Sequence, residues 1–134
     1  MGWMLVIATT CTMIFSVKSL LKLPWEGYIF SLRNFIYLSL TYTVLLIGFA
    51  IIYTVMLIEG IKAVEPVETH SFLELFMAMF YFSAMMLFSV GNGEMIPEGA
   101  GRAVAVAAAF IGQVLPVTVI WTLIAKADSQ IFDK

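Results

Sequence analysis

The sequence predicts an all-α membrane protein with three transmembrane helices and one shorter, re-entrant helix per chain. Three observations support this fold class. Of the 134 residues, 62% are hydrophobic and 12% are charged, whereas a soluble domain is about 45–50% apolar and about 25% charged. Three apolar stretches are long enough to cross a bilayer, which needs about 20 residues. A fourth apolar stretch is shorter and runs into a glycine-rich segment.

The first apolar stretch covers residues 1–21. It lacks the basic start and the small-residue cleavage site of a signal peptide, and its basic residues follow the apolar core. We therefore predict a retained transmembrane helix and a cytoplasmic connector in an N-terminal segment, 1–34, with an interfacial helix as the alternative.

The rest of the chain is predicted to form one domain, 35–134. Its first and last apolar stretches are free of charged residues over most of their length, as transmembrane helices require. The domain would comprise an outer helix at 35–59, a polar turret at 60–70, a short helix at 71–88, a non-helical segment at 89–94 and an inner helix at 101–127.

The non-helical segment, S-V-G-N-G-E, follows the short apolar helix directly. Its two glycines and Asn92 cannot continue a helix well. Non-helical backbone at membrane depth is tolerated only where it is buried in protein or lines a water-filled cavity. We therefore predict that 71–94 re-enters the membrane and lines a cavity.

The basic residues predict the orientation. Lys18, Lys22 and Arg33 follow the apolar core of the first transmembrane stretch and precede the second, and Lys126 and Lys134 follow the last one. Cytoplasmic loops carry the excess of Lys and Arg. The first connection and the C-terminus are therefore expected in the cytoplasm, with the N-terminus and the acidic turret outside.

Other classes of function are disfavoured. A soluble globule of this size could not bury so many apolar side chains. The single Cys11 cannot form an internal disulfide, and the net charge of −2 predicts no nucleic-acid partner. No H-E-x-x-H, nucleophile-elbow or P-loop motif is present, so we predict neither enzyme activity nor a cofactor.

The order of these elements resembles the pore module of tetrameric potassium channels, over about residues 35–125. The filter of that family is T-V-G-Y-G-D. The corresponding residues here are Ser89, Val90, Gly91, Asn92, Gly93 and Glu94, of which Val90, Gly91 and Gly93 match. Further matches are Tyr81, Phe82 and Ser83 in the pore helix, Pro97, Gly101 and Arg102 after the filter, and Gly112 at the hinge position of the inner helix.

The resemblance implies a homotetrameric ion channel in a bacterial plasma membrane. The channel would conduct a monovalent cation, and potassium is the cation that the resemblance favours. Potassium would bind the backbone carbonyls of Ser89, Val90, Gly91 and Asn92, as in other filters made of carbonyl rings. Gly91 and Gly93 would permit the unusual dihedral angles that aim these carbonyls. Support for the filter would come from Glu94, Tyr81, Phe82 and Ser83. The cavity or gate would be lined by Gly112, Gln113, Pro116 and Ile120.

Several alternatives stay open at this stage. Asn92 replaces a tyrosine that packs behind the filter in the family, so a non-selective sodium/potassium channel is one alternative. A non-conducting subunit that modifies other pore proteins is another. A small exporter would need a carboxylate near the middle of a transmembrane helix, whereas Glu59 lies at a helix end. Gly112 could serve as a hinge or as a close-packing residue.

Overall fold

The computed structural model describes residues 2–22, 32–67, 71–91 and 93–132. Its elements are α1 (Gly2–Lys22), α2 (Leu32–Ile58), β1 (Val64–Glu65), α3 (Phe72–Leu87), β2 (Ile96–Pro97) and α4 (Gly99–Phe132). By length and composition, α1, α2 and residues Gly99–Thr122 of α4 can each cross a membrane. The predicted number of membrane-spanning helices is thereby confirmed.

Helix boundaries differ from the sequence prediction at several ends. The helix α4 extends to Phe132 rather than to residue 127, because no Gly or Pro follows the apolar stretch to stop it. The helix α2 begins at Leu32, three residues before the predicted start. Two short strands also form, which the all-α prediction did not include. They pair antiparallel, Val64 opposite Pro97 and Glu65 opposite Ile96.

The starts of α1 and α4 lie at the same end of the molecule as the end of α2. Gly2 lies against Glu59 at the end of α2, and Gly101 lies against the backbone of Ala63. The helices α1 and α4 therefore run antiparallel to α2. This end of the molecule, with Glu59, Glu65 and Glu98, is called the acidic end. The opposite end, with Lys18, Lys22 and Arg33, is called the basic end.

Two hydrophobic clusters hold the helices together. The first joins α1, α2 and α4 with Leu87 at the end of α3, and Met13 of α1 packs into the space beside Gly48 of α2. The second joins α2, α3 and the β1 segment around Tyr53, Met79 and Phe82. The helix α2 is thus the central element, and α1 shares a core with α2 and α4.

Candidate functional site

The helix α3 begins with a serine N-cap near the acidic end. The Ser71 hydroxyl accepts a hydrogen bond from the backbone N–H of Glu74 at 3.3 Å. The Ser-x-x-Glu spacing satisfies an N–H that has no partner within the helix, and a carboxylate in the first turn is favoured by the helix dipole. The direction and the starting point of α3 are therefore encoded locally.

The middle of α3 is anchored to α2 by an aromatic pair. The rings of Phe82 and Tyr53 meet edge to face, with centroids 5.1 Å apart, and both side chains are fully buried. Ser83 is also fully buried, and its hydroxyl has no hydrogen-bond partner among the described residues. Tyr81, in contrast, is half exposed on another face of α3. Of the four residues grouped as filter support, the three in α3 thus divide between the core and the surface, and Glu94 is exposed.

The helix α3 ends in a tight backbone turn at its C-terminus. The N–H of Ser89 donates to the carbonyl of Met86 and that of Val90 to the carbonyl of Met85, both at 3.0 Å. This pair of bonds defines a Schellman motif, whose left-handed residue is usually glycine. Here that residue is Ser89, with φ of 55°. The sequence predicted such backbone only at the glycines.

The unusual dihedral angles predicted for both glycines occur at one of them: Gly91 has left-handed backbone, with φ of 78°, whereas Gly93 does not. No atom lies within 4 Å of the position that a Cβ would take at Gly91 or at Gly93. The backbone of Gly91, rather than its surroundings, therefore favours glycine. Asn92 lies outside the described residues.

The C-terminus of α3 meets α4 at Gly112. A Cβ on Gly112 would collide with the carbonyl of Leu87, so this glycine permits the close approach of two backbones. Gly112 lies about 20 Å along the axis of α4 from its first residue, since an α-helix rises about 1.5 Å per residue. The helix α3 thus begins near the acidic end and ends well inside the molecule.

The chain then returns to the acidic end. The pairing of β2 with β1 places residues 96–97 beside residues 64–65. The N–H of Glu98 donates to the carbonyl of Ala63 at 2.9 Å, and Nε of Arg102 donates to the carbonyl of Pro97 at 3.2 Å. Residues 88–95 therefore connect a point beside Gly112 with the acidic end.

The predicted filter residues are accessible on the single chain. Ser89, Val90, Gly91, Gly93 and Glu94 are all exposed, and the apolar side chain of Val90 is 71% exposed.

Tyr42 of α2 is a residue of this site that the sequence analysis missed. Its hydroxyl donates to the carbonyl of Gly112 at 2.6 Å, and its ring stacks on Phe88 with centroids 5.8 Å apart. Pro116 has no N–H, so the Gly112 carbonyl lacks its partner within α4. The signal was therefore present in Pro116, since a carbonyl freed at membrane depth requires another donor.

A cavity of about 490 Å³ borders this network on the side of the basic end. Gln113 and Pro116, both predicted cavity residues, contribute to its wall, whereas Ile120 is exposed and does not. The full lining is Leu38, Ser39, Tyr42, Thr43, Leu87, Phe88, Gly112, Gln113 and Pro116.

Charged side chains at the acidic end pair on the surface. Nζ of Lys62 lies 3.1 Å from a carboxylate oxygen of Glu65. This hydrogen bond, together with the negative charges of Glu65 and Glu98, raises the pKa of Lys62. Within the described residues, no group of three or more His, Cys, Asp or Glu side chains could hold a metal ion.

Comparison with known proteins identifies the family. The family model described as "Ion channel" matches residues 40–127, which includes α3, the glycine-rich segment and most of α2 and α4. Protein LctB of Bacillus caldotenax is 33% identical over 92 residues, which cover 66% of this chain and 69% of the relative. Protein LctB of Geobacillus stearothermophilus is 30% identical over 92 residues, with the same coverage of this chain and of the relative. No solved structure matches. With its three apolar helices, the chain is an integral membrane protein that belongs to the ion channel family.

Proposed function

We propose that four copies of this chain form a passive cation channel that conducts potassium through a re-entrant filter. The observation that carries the proposal is the path of the chain from 72 to 97. It runs inward along α3 to Gly112 and returns to β1, with exposed backbone at the turn. A segment of this form supplies one strand of a carbonyl-lined pore.

The ion would be held by backbone oxygens. The carbonyls of Ser89, Val90, Gly91 and Asn92 would replace the hydration shell of potassium, with Gly93 and Glu94 at the outer mouth. The left-handed backbone at Gly91 supports this assignment. The channel then needs no cofactor, and its ligands are the permeant potassium or sodium ions.

The inner helix would control access to the filter from the cytoplasm. Gln113 and Pro116 border the cavity next to the end of α3, and Ile120 lies one turn farther towards the basic end. Gly112 has no space for a side chain, which favours the packing role over the hinge role. The basic end would face the cytoplasm of a bacterial plasma membrane, by the excess of Lys and Arg there.

Ion flux tests the proposal against its two main alternatives. The purified chain in liposomes should release potassium down its concentration gradient. A non-conducting subunit would give no flux from the purified chain, and an exporter would move its substrate only in a proton gradient. Either result would contradict the proposed function.

The assembly is expected to be a tetramer. One chain supplies a single strand and leaves the backbone at 89–91 exposed, and each unsatisfied polar group in lipid costs several kcal/mol. Chemical cross-linking in mild detergent should give a ladder that ends at four chains. A dimer or monomer that still conducts would refute this arrangement.

The selectivity of the channel is expected to depend on Asn92. If its smaller side chain loosens the filter, then Asn92→Tyr should raise the preference for potassium over sodium. One added aromatic contact is worth about 0.5–1.5 kcal/mol, so four chains would add at least about 2 kcal/mol. About 1.4 kcal/mol already corresponds to a tenfold change in the permeability ratio. Reversal potentials in potassium on one side and sodium on the other measure the ratio. Equal potentials for the two chains would show that carbonyl number and field strength set the selectivity instead.

A further inference from the structure

A long apolar groove lies between α1 and α4, with α2 as its floor. Its volume is about 540 Å³, within the range of ligand sites in proteins. Apart from Lys18, both walls consist of apolar and threonine side chains. The residues are Thr10, Met13, Ile14, Val17, Lys18 and Leu21 of α1, Leu45, Phe49 and Ile52 of α2, and Ala107, Phe110, Ile111, Val114, Leu115 and Thr118 of α4.

The length of the groove matches one leaflet of a bilayer. Its α1 wall extends from Thr10 to Leu21, about 17 Å at about 1.5 Å per residue. Half of the hydrocarbon core of a bilayer is about 15 Å thick. The α4 wall, from Ala107 to Thr118, has the same length and runs in the same direction.

The polar groups of the groove are distributed unevenly. The hydroxyl of Thr10 donates to the carbonyl of Val6 at 2.7 Å, and that of Thr118 to the carbonyl of Val114 at 2.8 Å. Both threonines are therefore satisfied by their own helices and present apolar surface. Lys18 is the only charged residue of the lining and stands near the basic end. It makes no ion pair with any residue that the structure describes.

We propose that this groove binds an anionic phospholipid, with one acyl chain along the groove and the phosphate at Lys18. An apolar channel of one leaflet's length with a single cation near its end complements such a lipid in both shape and charge. The site depends only on the chain spanning a membrane, so it is independent of the proposed ion conduction.

Two pairs of variants test the site. Thr10→Phe fills the groove, and Thr12→Phe is its control. Thr12 is also an exposed threonine of α1 whose hydroxyl donates back to its own helix. It differs from Thr10 because it does not line the groove. Lys18→Gln removes the charge, and Lys22→Gln removes an exposed lysine one turn away that is not part of the lining.

Each full-length chain is reconstituted in vesicles of phosphatidylglycerol and phosphatidylcholine and extracted in mild detergent, and the bound lipids are counted by native mass spectrometry. The original chain should retain phosphatidylglycerol about fivefold over phosphatidylcholine, the factor that corresponds to about 1 kcal/mol for one lysine at an anionic surface. Thr10→Phe should lose both lipids. Lys18→Gln should still bind lipid but lose its preference for phosphatidylglycerol. Both controls should behave like the original chain.

Equal lipid retention in Thr10→Phe and Thr12→Phe would overturn the proposal. So would an equal loss of preference in Lys18→Gln and Lys22→Gln, which would indicate a general surface charge effect. If Thr10→Phe loses its assembly while its lipid count is unchanged, the groove holds a neighbouring copy of the chain, and the proposal is wrong.

Discussion

Gly91→Ala is expected to abolish conduction while the chains still assemble. A left-handed residue with a Cβ costs about 1–2 kcal/mol, and four chains would apply this cost in one ring of carbonyls. The total is at least about 4 kcal/mol, which corresponds to about three orders of magnitude. Potassium flux per reconstituted chain measures the loss, and cross-linking measures the assembly.

Gly60→Ala is the matched control for this experiment. Gly60 also has left-handed backbone, with φ of 77°, and also has no atom within 4 Å of a Cβ position. It lies in the loop directly after α2 and outside the predicted filter, 89–94. Flux should therefore survive in Gly60→Ala. Equal currents in Gly91→Ala and the original chain would show that residues 89–94 form an ordinary surface turn.

Tyr42→Phe is expected to destabilise the junction of α2, α3 and α4. It leaves the Gly112 carbonyl without a donor, since Pro116 offers no N–H. An unsatisfied buried acceptor costs about 1–3 kcal/mol in each chain. Thermal unfolding in detergent should show a lower midpoint. The flux of the proposed tetramer should change with it, because the Tyr42 ring also stacks on Phe88 beside the proposed filter.

Pro116→Ala should rescue the Tyr42→Phe variant. An N–H at position 116 gives the Gly112 carbonyl its usual partner within the helix, so removal of the hydroxyl should then cost little. The double-mutant cycle should give a coupling of about 0.5–3 kcal/mol. Tyr37→Phe, on an exposed position of the same helix, is the control for loss of a hydroxyl. A coupling near zero would mean that Tyr42 does not compensate for Pro116.

The sequence predicted the helices well because their signals are local. Length and apolarity identify α1, α2 and α4, and the glycine-rich segment after the short apolar stretch indicates where α3 ends. The ends of the helices were less well predicted. The helix α4 continues past its apolar stretch because no residue there stops it. The left-handed Ser89 was not anticipated, because the Schellman motif usually places glycine there.

Contacts between distant segments could not be predicted from the residues alone. The bond from Tyr42 to Gly112 and the pairing of β1 with β2 join residues far apart in the sequence. Pro116 indicated that a donor was needed but not which residue would supply it. For Gly112 the sequence left hinge and packing open, and the position of the Leu87 carbonyl favours packing.

The central claim is that this chain alone forms a passive cation pore, and a reversal potential tests it most directly. The purified chain is placed in a planar bilayer that separates two potassium chloride solutions of unequal concentration. We predict a current that reverses close to the equilibrium potential of potassium and that is absent from Gly91→Ala. A current that reverses at the chloride potential, or a conductance that Gly91→Ala leaves unchanged, would contradict the proposed pore.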